Sequence, residues 1–531
     1  MSNLASATPA VPVAVPRALA GAPVDATGDV AAAEAVAAEA VAAGAAAELP
    51  ASSPVAGESL RGRAIRGTVW TTAGYGVSQV LRLAVNLVLT RLLQPHLFGL
   101  MTLVNIFVQG LQSFSDVGIG PSIVQSKRGD DRRFLDTAWT IQVLRGITLG
   151  TVSLLLAWPA AKLYGQPQLA WLLPVAGLGA VLAGFNSTAL FSLNRHLDVG
   201  RLTVQALVAQ VVGAGVMLAW AMTHPSVWAL LAGNIAAAVV TLLFSHFLLP
   251  GRRNRFRWER AAAAELMTFG RWIFVSTLLT FLALQADRLI FGKLISLDEL
   301  GVYGIAAMMA ALPTAAILKL GGTVVFPAYS RARAAGKPIQ QVFDKVRLPL
   351  LAGAGLVTAG LVGGGRPVIE LLYAAPYHPA GWMLQLLAVS GWFQVMQVTN
   401  GSALLALGSP RSVAAANVVK LAAVAVGVPF GFWAGGLPGG IVGIILSDVL
   451  KYVATAVATR RKGLRMVRTD LMLSGMVAAT AGLAAAAAYG VRLWVGGAAG
   501  ALLALAAVGA VAGTAWVPLV VRSLRSRKAV V

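Results

Sequence analysis

The chain of 531 residues contains no cysteine, and charged side chains make up only 12% of it. Without cysteine, neither a disulfide framework nor a thiolate metal site can form. Hydrophobic residues account for 57% of the chain, and the mean hydropathy is +0.76. A soluble chain of this composition would aggregate, so the composition predicts an all-α protein that crosses a membrane many times.

Several features of enzymes are missing as well. The sequence has no phosphate-binding loop, and its five histidines lack the spacing of a metal site. We therefore predict that the protein is not an enzyme and has no metal and no cofactor, other than H+ or Na+ as a coupling ion. Residues 1–59 are rich in Ala, Val and Pro and lack the pattern of a signal peptide, which predicts a disordered cytoplasmic tail.

Apolar runs long enough to cross about 30 Å of hydrocarbon recur from residue 67 onward. They predict about fourteen transmembrane helices with short connections, so no folded periplasmic domain is expected. The predicted spans lie near residues 67–91, 97–125, 137–160, 169–193, 202–222, 226–249, 266–293, 300–328, 346–365, 382–407, 411–433, 439–459, 470–490 and 494–520.

The basic residues explain the formal charge of +22 and predict the topology. They are concentrated in alternate loops, such as residues 252–260 and 460–468 and the segment that includes Arg347, and are sparse in the loops between them. Positive loops face the cytoplasm, which predicts a bacterial inner membrane protein with both termini in the cytoplasm. The basic excess is thus a topology signal and does not predict nucleic-acid binding.

An internal repeat relates the two halves of the chain. A shift of 202 residues brings Trp70 onto Trp272 and Gly99 onto Gly301. Six helices per repeat give both halves the same orientation, as in transporters with parallel repeats. We predict two six-helix pseudo-symmetric lobes around a central cavity, at residues 60–250 and 251–462. Residues 463–531 are predicted to add two helices and a basic cytoplasmic tail.

Polar side chains at helical spacing pick out one face of the first two predicted spans. Single polar residues in a span more often tie helices together than touch a substrate. Longer stripes that end in a charge are harder to explain in that way, and they predict a polar cavity face. Its members are Gln79, Arg82, Asn86, Asn105, Gln109, Gln112 and Asp116.

Charges inside later spans predict further contacts with a cavity. Asp287 and Arg288 are adjacent and point about 100° apart on a helix, so they are not each other's partner. A charge at the centre of a membrane helix costs about 3 kcal/mol on insertion scales. These side chains therefore either form ion pairs that hold the bundle together or face a cavity. Embedded cations outnumber the acids Asp116, Asp287 and Asp448, which favours a cavity for an anionic ligand.

Three stretches carry a family resemblance: residues 66–104 (RGTVWTTAGYGVSQ…), residues 116–130 (DVGIGPSIVQSKRGD) and residues 285–306 (QADRLIFGKLISLDELGVYGIA). They resemble the Wzx-like oligosaccharide flippases of the multidrug/oligosaccharidyl-lipid/polysaccharide exporter superfamily, over about residues 60–465. The resemblance implies alternating-access translocation of a polyprenyl-diphosphate-linked oligosaccharide to the periplasmic leaflet for exopolysaccharide biosynthesis. It also implies cavity cations at Arg82, Arg288, Lys319 and Lys420, and coupling-ion candidates at Asp287, Asn417 and Asp448.

The expected partners are the lipid-linked glycan, the bilayer and the machinery that polymerises and exports polysaccharide. Three alternatives stay open at this point. A multidrug or organic-cation exporter of the same superfamily should have an acidic or aromatic cavity, whereas the predicted one is basic. A lipid II flippase would share the architecture. A membrane glycan polymerase or ligase would carry a large catalytic periplasmic loop, which the short external loops disfavour.

Overall fold

The computed structural model describes residues 60–114, 118–196, 198–248, 254–321, 325–336 and 338–528. This part of the chain is helical and contains no strand. The predicted tail at residues 1–59 and the predicted cavity residue Asp116 lie outside it.

Sixteen α-helices follow one another in the described residues. Their bounds are α1 Leu60–Leu92, α2 Pro95–Phe114, α3 Ile119–Gln125, α4 Arg132–Tyr164, α5 Leu169–Gly184, α6 Ala189–Arg195, α7 Val199–Thr223, α8 Val227–Leu243, α9 Arg260–Leu294, α10 Leu297–Leu320, α11 Phe326–Ala334, α12 Ile339–Leu372, α13 Ala380–Ala406, α14 Pro410–Arg461, α15 Val467–Trp494 and α16 Gly497–Lys528. A π-helical turn, Phe244–Leu248, extends α8.

Local capping explains where two of these helices begin. The Asp131 carboxylate accepts a hydrogen bond from the backbone N–H of Arg133 at the start of α4. The hydrogen bond from Arg128, together with this backbone N–H, lowers the pKa of Asp131. At the start of α10, Ser296 and Glu299 form a capping box, in which each side chain accepts from the other residue's backbone N–H.

All fourteen predicted spans overlap helices, but the count of fourteen is not confirmed. In the described part of the chain, eight helices are long and apolar enough to cross a membrane, or nine if α5 and α6, bent by 58°, form one span. The predicted span 97–125 is divided into α2 and α3, and Gly118 adopts a left-handed φ of 59° just before α3. The predicted spans 411–433 and 439–459 are the two arms of α14, which double back on each other at the non-helical Gly435 and Gly436, so that Gly431 packs against Gly439 and Gly427 against Gly443.

The loops gather at two ends of the bundle. At one end, called the outer end below because its loops are the ones predicted to be periplasmic, Tyr377 donates to the carbonyl of Leu93 at 2.8 Å. At the opposite, inner end, Arg195 Nη1 donates to the carbonyls of Ile123, Val124 and Ser126 at 2.8–3.0 Å.

A reciprocal glycine contact joins the two halves at the outer end. A Cβ built on Gly99 would lie 2.0 Å from the carbonyl oxygen of Leu297, and one built on Gly301 would lie 2.0 Å from that of Pro95. The shift of 202 residues carries Pro95 onto Leu297 and Gly99 onto Gly301. The contact is therefore the same interaction made twice, as a pseudo-twofold axis between α2 and α10 requires. Only glycine permits this approach of the two helices.

We predict that Gly301→Ala opens the outer end, because the new methyl group would collide with backbone on α2. The chain has no cysteine, so a single reporter, Thr102→Cys, can be placed between the halves without background labelling. In right-side-out vesicles, a membrane-impermeant maleimide should label this cysteine faster in the Gly301→Ala protein. Gly353→Ala on α12 is the matched control, because a Cβ there meets no atom within 4 Å. Equal labelling rates in both variants would contradict the prediction.

Helices α15 and α16 pack against α12, and a buried ion pair fixes α15 there. Arg347 of α12 forms a two-pronged pair with Asp470 of α15, with Nη2 2.9 Å from Oδ2. Thr399 accepts from Arg347 Nε at 2.9 Å, and Tyr452 donates to Asp470 at 2.7 Å. The two charged side chains are 3% and 1% exposed. Arg347, which the sequence predicts in a basic loop, lies within α12, and Asp470 lies in the first turn of α15.

This arrangement predicts that Asp470→Ala unfolds at a lower temperature than the wild type. Removing one partner leaves Arg347 buried without its counter-charge, which costs about 3–5 kcal/mol for pairs of this kind. Thermal unfolding in detergent measures the loss. The double variant Arg347→Met/Asp470→Leu should recover much of the stability, because no buried charge remains. A double variant as unstable as the single one would refute the assignment of the loss to the unpaired charge.

Candidate functional site

A cavity with several polar lining residues lies mainly within the first half of the chain, among α1, α2, α7 and α8. It has a volume of about 850 Å³ and will be called the first-half cavity. Arg82 is exposed to it and has no ion-pair partner among the described residues. The other polar side chains that line it are amides and hydroxyls: Asn86, Thr102, Asn105, Gln205, Gln210, Asn234 and Thr241.

A smaller pocket of about 200 Å³ connects the two halves and will be called the junction pocket. Gln285 of α9 donates to Gln109 of α2 at 2.6 Å, and Arg288 Nη1 donates to Gln285 Oε1 at 2.8 Å. This chain of hydrogen bonds crosses the junction. The Nε of Arg288 is buried and has no hydrogen-bond partner. A buried donor without a partner carries a desolvation cost, which an acceptor from a ligand would relieve.

The second half contains a third pocket, of about 250 Å³, which will be called the second-half pocket. Asp287, Arg288 and Lys420 line it, so Arg288 reaches both this pocket and the junction pocket. Asp287 accepts a short hydrogen bond from Tyr303, the one hydrogen-bond donor to this carboxylate among the described residues. Asp287 and Arg288 thus have different partners, in agreement with their angular separation on the helix.

Behind the second-half pocket lies a buried ion pair. Lys420 Nζ is 2.8 Å from Asp448 Oδ1, and the two side chains are 8% and 0% exposed. Ser390 and Gln394 donate to the other carboxylate oxygen at 2.5 and 2.9 Å. A buried carboxylate is tolerated only when it is paired and hydrogen bonded, and these three donors provide that. Lys420 is therefore partly neutralised, whereas Arg288 is not.

Contacts between the halves close the outer end above these pockets. Tyr373 donates to Asn86 at 3.2 Å, and Lys293 donates to the carbonyl of Leu163 at 2.6 Å. Together with the Tyr377 hydrogen bond and the glycine contact, they join α1, α2 and α4 to α9, α10 and the loop after α12. The structure is therefore a state in which the outer side of the junction is sealed.

The predicted site residues fall into distinct places. The structure brings Arg82, Asn86, Asn105, Gln109 and Arg288 together around two connected pockets. Gln79 is half-buried on α1 but is not among the lining residues of the described pockets. Gln112 lines a separate pocket with Arg145, whose guanidinium donates to its carbonyl at 2.9 Å.

The remaining predicted residues are less informative. Asn417 is half-buried on α14, three residues before Lys420. The helix α10 includes Lys319, but the placement of its side chain lies outside the described part of the chain.

Sequence reasoning missed several polar residues that line the pockets. Gln205 and Gln210 of α7 are five residues apart, which is not the spacing of three or four that marks a helical stripe. Asn234 is isolated within an apolar helix. Ser390 and Gln394 are four residues apart, so the search for stripes could have found them.

Two halves related by an internal repeat, with charged and polar side chains gathered at their junction, are an arrangement that membrane transporters with parallel repeats also have. Comparison with known proteins specifies the family. The profile of a family described as "Polysaccharide biosynthesis protein" matches residues 88–382, more than half of the chain, and the chain belongs to that family.

Curated relatives of this chain have names that concern polysaccharide biosynthesis. The lipopolysaccharide biosynthesis protein WzxC of Escherichia coli (strain K12) is 24% identical over 60% of this chain and 65% of its own length. The succinoglycan biosynthesis transport protein ExoT of Rhizobium meliloti (strain 1021) is 24% identical over 57% and 61%. The teichuronic acid biosynthesis protein TuaB of Bacillus subtilis (strain 168) is 22% identical over 55% and 61%. The matches span less than two thirds of each relative.

Solved structures of transporters share the fold. The lipid II flippase MurJ in an inward closed conformation superposes with a TM-score of 0.65 and 11% identity, over 85% of this chain and 98% of MurJ. An inward-facing multidrug MATE transporter gives 0.59 and 15% identity, over 75% and 98%. At these identities the likeness establishes the fold alone. The chain is thus an all-α polytopic membrane protein with a transporter fold.

Proposed function

We propose that the protein flips a polyprenyl-diphosphate-linked oligosaccharide from the cytoplasmic to the periplasmic leaflet, as the first step of its export to a surface or exopolysaccharide. The observation that carries this proposal is Arg288, which lies where the two halves meet and has a buried Nε without a partner. A guanidinium is always charged and presents a planar fork of donors that matches phosphate oxygens. The names of the family and of its relatives support the same substrate class.

Alternating access accounts for the translocation. The diphosphate enters the junction from the inner side, where Arg288 and Arg82 offset its charge while the lipid tail stays in the bilayer. Rocking of the two halves then breaks the outer contacts at Gly99 and Gly301 and at Tyr373, which exposes the same pockets to the outer side. No bond is made or broken in this cycle, so the proposal does not involve catalysis.

Asp287 is the proposed coupling-ion residue. The oxygens of Asp448 are occupied by Lys420, Ser390 and Gln394, and its side chain is 0% exposed. Asp287 lines the second-half pocket and receives a single hydrogen bond, from Tyr303. Of the predicted coupling residues, Asp287 is therefore the one with space beside it for a proton or Na+.

The location and partners follow from the topology and the relatives. The basic loops support a bacterial inner membrane protein whose inner end and both termini lie in the cytoplasm. A lipid-linked glycan released outside must be consumed by a polymerase or by export machinery, which are the proposed partners.

The basic junction favours this function over export of organic cations. A drug cation would be repelled by Arg288 and Arg82. Asp287 is the one acidic residue among the described lining residues of the three pockets. A lipid II flippase remains the second candidate function, because the fold of MurJ covers 85% of this chain.

We predict that Arg288→Ala abolishes export of the polysaccharide in cells that lack the chromosomal gene. Lipid-linked repeat units should accumulate on the inner side, since removal of the cation leaves the diphosphate unpaired at the junction. Arg288→Lys should restore only part of the function, because an ammonium keeps the charge but not the fork of donors. Surface polysaccharide and extracted lipid-linked glycan are the two measurements.

Arg492→Ala is the matched control, because this arginine forms an ion pair with Glu370 at 2.7 Å, away from the three pockets. It should export normally. Normal export by Arg288→Ala protein at wild-type abundance would overturn the proposed role of Arg288. If deletion of the gene leaves surface polysaccharide intact but blocks growth and peptidoglycan synthesis, the lipid II alternative is correct.

For the coupling ion, we predict that Asp287→Asn removes the response of flipping to a pH or Na+ gradient in proteoliposomes. The amide keeps the shape of the carboxylate but cannot exchange a proton or bind a cation by charge. Tyr303→Phe should shift the ion concentration at half-maximal rate without abolishing the response, since it removes only the hydrogen bond. A gradient response that persists unchanged in Asp287→Asn would exclude this residue as the coupling site.

A further inference from the structure

The lining of the first-half cavity is chemically unlike that of the second-half pocket. Five amide side chains face the first-half cavity, at Asn86, Asn105, Gln205, Gln210 and Asn234. Its one charged lining residue among those described is Arg82, and no carboxylate lines it. The second-half pocket is smaller, at about 250 against 850 Å³, and contains charges of both signs.

The internal repeat shows how this difference is encoded. The shift of 202 residues carries Asn105 onto Ala307 and Gln109 onto Ala311, and both alanines line the second-half pocket. The same shift carries Asn86 onto the charged Arg288. Positions that are equivalent by the repeat therefore present amides in the first half, and alanine or a cation in the second. The two halves share an architecture but differ in the ligand chemistry that their pockets can recognise.

Some of the amides in the first-half cavity are held rigidly. Gln210 accepts from Ser78 Oγ at 2.6 Å and donates to the Ser78 carbonyl at 3.0 Å. Gln205 donates to the Thr241 hydroxyl at 3.1 Å. The wall that carries them is closely packed, because a Cβ on Gly213 or Gly233 would lie 2.7 Å from the other residue's carbonyl oxygen.

Asn105 and Asn234 are the two amides that are free for a ligand. Both are exposed to the cavity, and neither makes a hydrogen bond with another described residue. Each side chain offers a carbonyl acceptor and two N–H donors. Sugar hydroxyl groups also donate and accept at once, so neutral amides complement them without the desolvation cost of a charge.

We infer that the first-half cavity binds the sugar units of the substrate, and that Asn105 and Asn234 are specificity-determining residues for the glycan. The inference rests on the proposed function and deepens it, because it assigns the glycan to α2 and α8 and leaves the diphosphate to Arg288. A cavity of about 850 Å³ lies within the ~300–1,000 Å³ of small-molecule sites. It accommodates the few sugars next to the diphosphate rather than a long chain.

The test uses the full-length protein in neutral phosphatidylcholine nanodiscs and two lipid probes. One probe is the lipid-linked glycan extracted from host cells that lack the gene, and the other is undecaprenyl diphosphate without sugar. Asn105→Ala and Asn234→Ala should each weaken binding of the glycan probe by about three- to tenfold, the effect of one lost hydrogen bond. Binding of the sugar-free probe should stay at the wild-type level. Arg288→Ala should weaken binding of both probes.

Asn194→Ala is the matched control, because Asn194 is an exposed asparagine on α6 that lines none of the three pockets. It should bind both probes as the wild type does. Thermal unfolding of each variant checks that the fold is intact, and Asn234→Gln and Asn105→Gln, which keep the amide, should recover part of the affinity for the glycan probe.

The outcomes separate the two proposals. If the wild type binds both probes and the two alanine variants bind the glycan probe equally well, the assignment of the glycan to this cavity is overturned. The same holds if they lose both probes to the same extent at normal stability. If the wild type binds neither probe, the proposed flippase function fails, and the assignment of the glycan fails with it.

Discussion

The cost of placing charge in a membrane determines how this structure is organised. Each embedded ion must be paired, hydrogen bonded or open to a cavity, because the hydrocarbon offers no other partner. The second half contains two buried ion pairs that satisfy this requirement, Arg347 with Asp470 and Lys420 with Asp448. The first pair fixes α15 on α12 and the second joins the two arms of α14, while hydrogen bonds from Ser390 and Gln394 to Asp448 hold α13 against α14. Arg82 and Arg288 are embedded cations with no carboxylate partner in the described part of the chain, and Arg288 lies at the joint between the halves.

Rigid halves and an adaptable joint belong together in an alternating-access protein. The outer contacts are made of backbone and hydroxyl groups: glycine against carbonyl oxygen, Tyr373 against Asn86 and Tyr377 against Leu93. Such contacts can be exchanged for water at modest cost, since water satisfies the same groups. The buried ion pairs cannot be opened so cheaply. The distribution of interaction types therefore predicts which surfaces separate during transport and which stay intact.

The sequence predicted the class, the positions of the helices and the internal repeat, because hydropathy and glycine register are local signals. The repeat even locates the central contact, since Gly99 and Gly301 are equivalent by the shift of 202 residues. Pairing was not predictable in the same way. Whether Arg347 belongs to a loop or to a buried pair depends on Asp470, which is distant in sequence and becomes its neighbour only when α15 docks. Gln205 and Asn234 were not predicted, because the cavity is lined by side chains from four helices, whereas a polar stripe is a pattern within a single helix.

Divergence between the repeats gives a symmetric fold the two pocket chemistries that the proposed asymmetric substrate would need. A lipid diphosphate with a glycan presents a compact double charge and a larger neutral body, and no single pocket chemistry suits both. An Arg suits the first, because charge and a fork of donors match phosphate. Amides suit the second, because each offers both a donor and acceptors at no net charge. Substitution at equivalent positions, Arg288 for Asn86 and Ala307 for Asn105, gives the pockets of the two halves different chemistry. Selection for a new glycan can then act on the lining of the first-half cavity while the charged joint and the buried pairs of the second half stay unchanged.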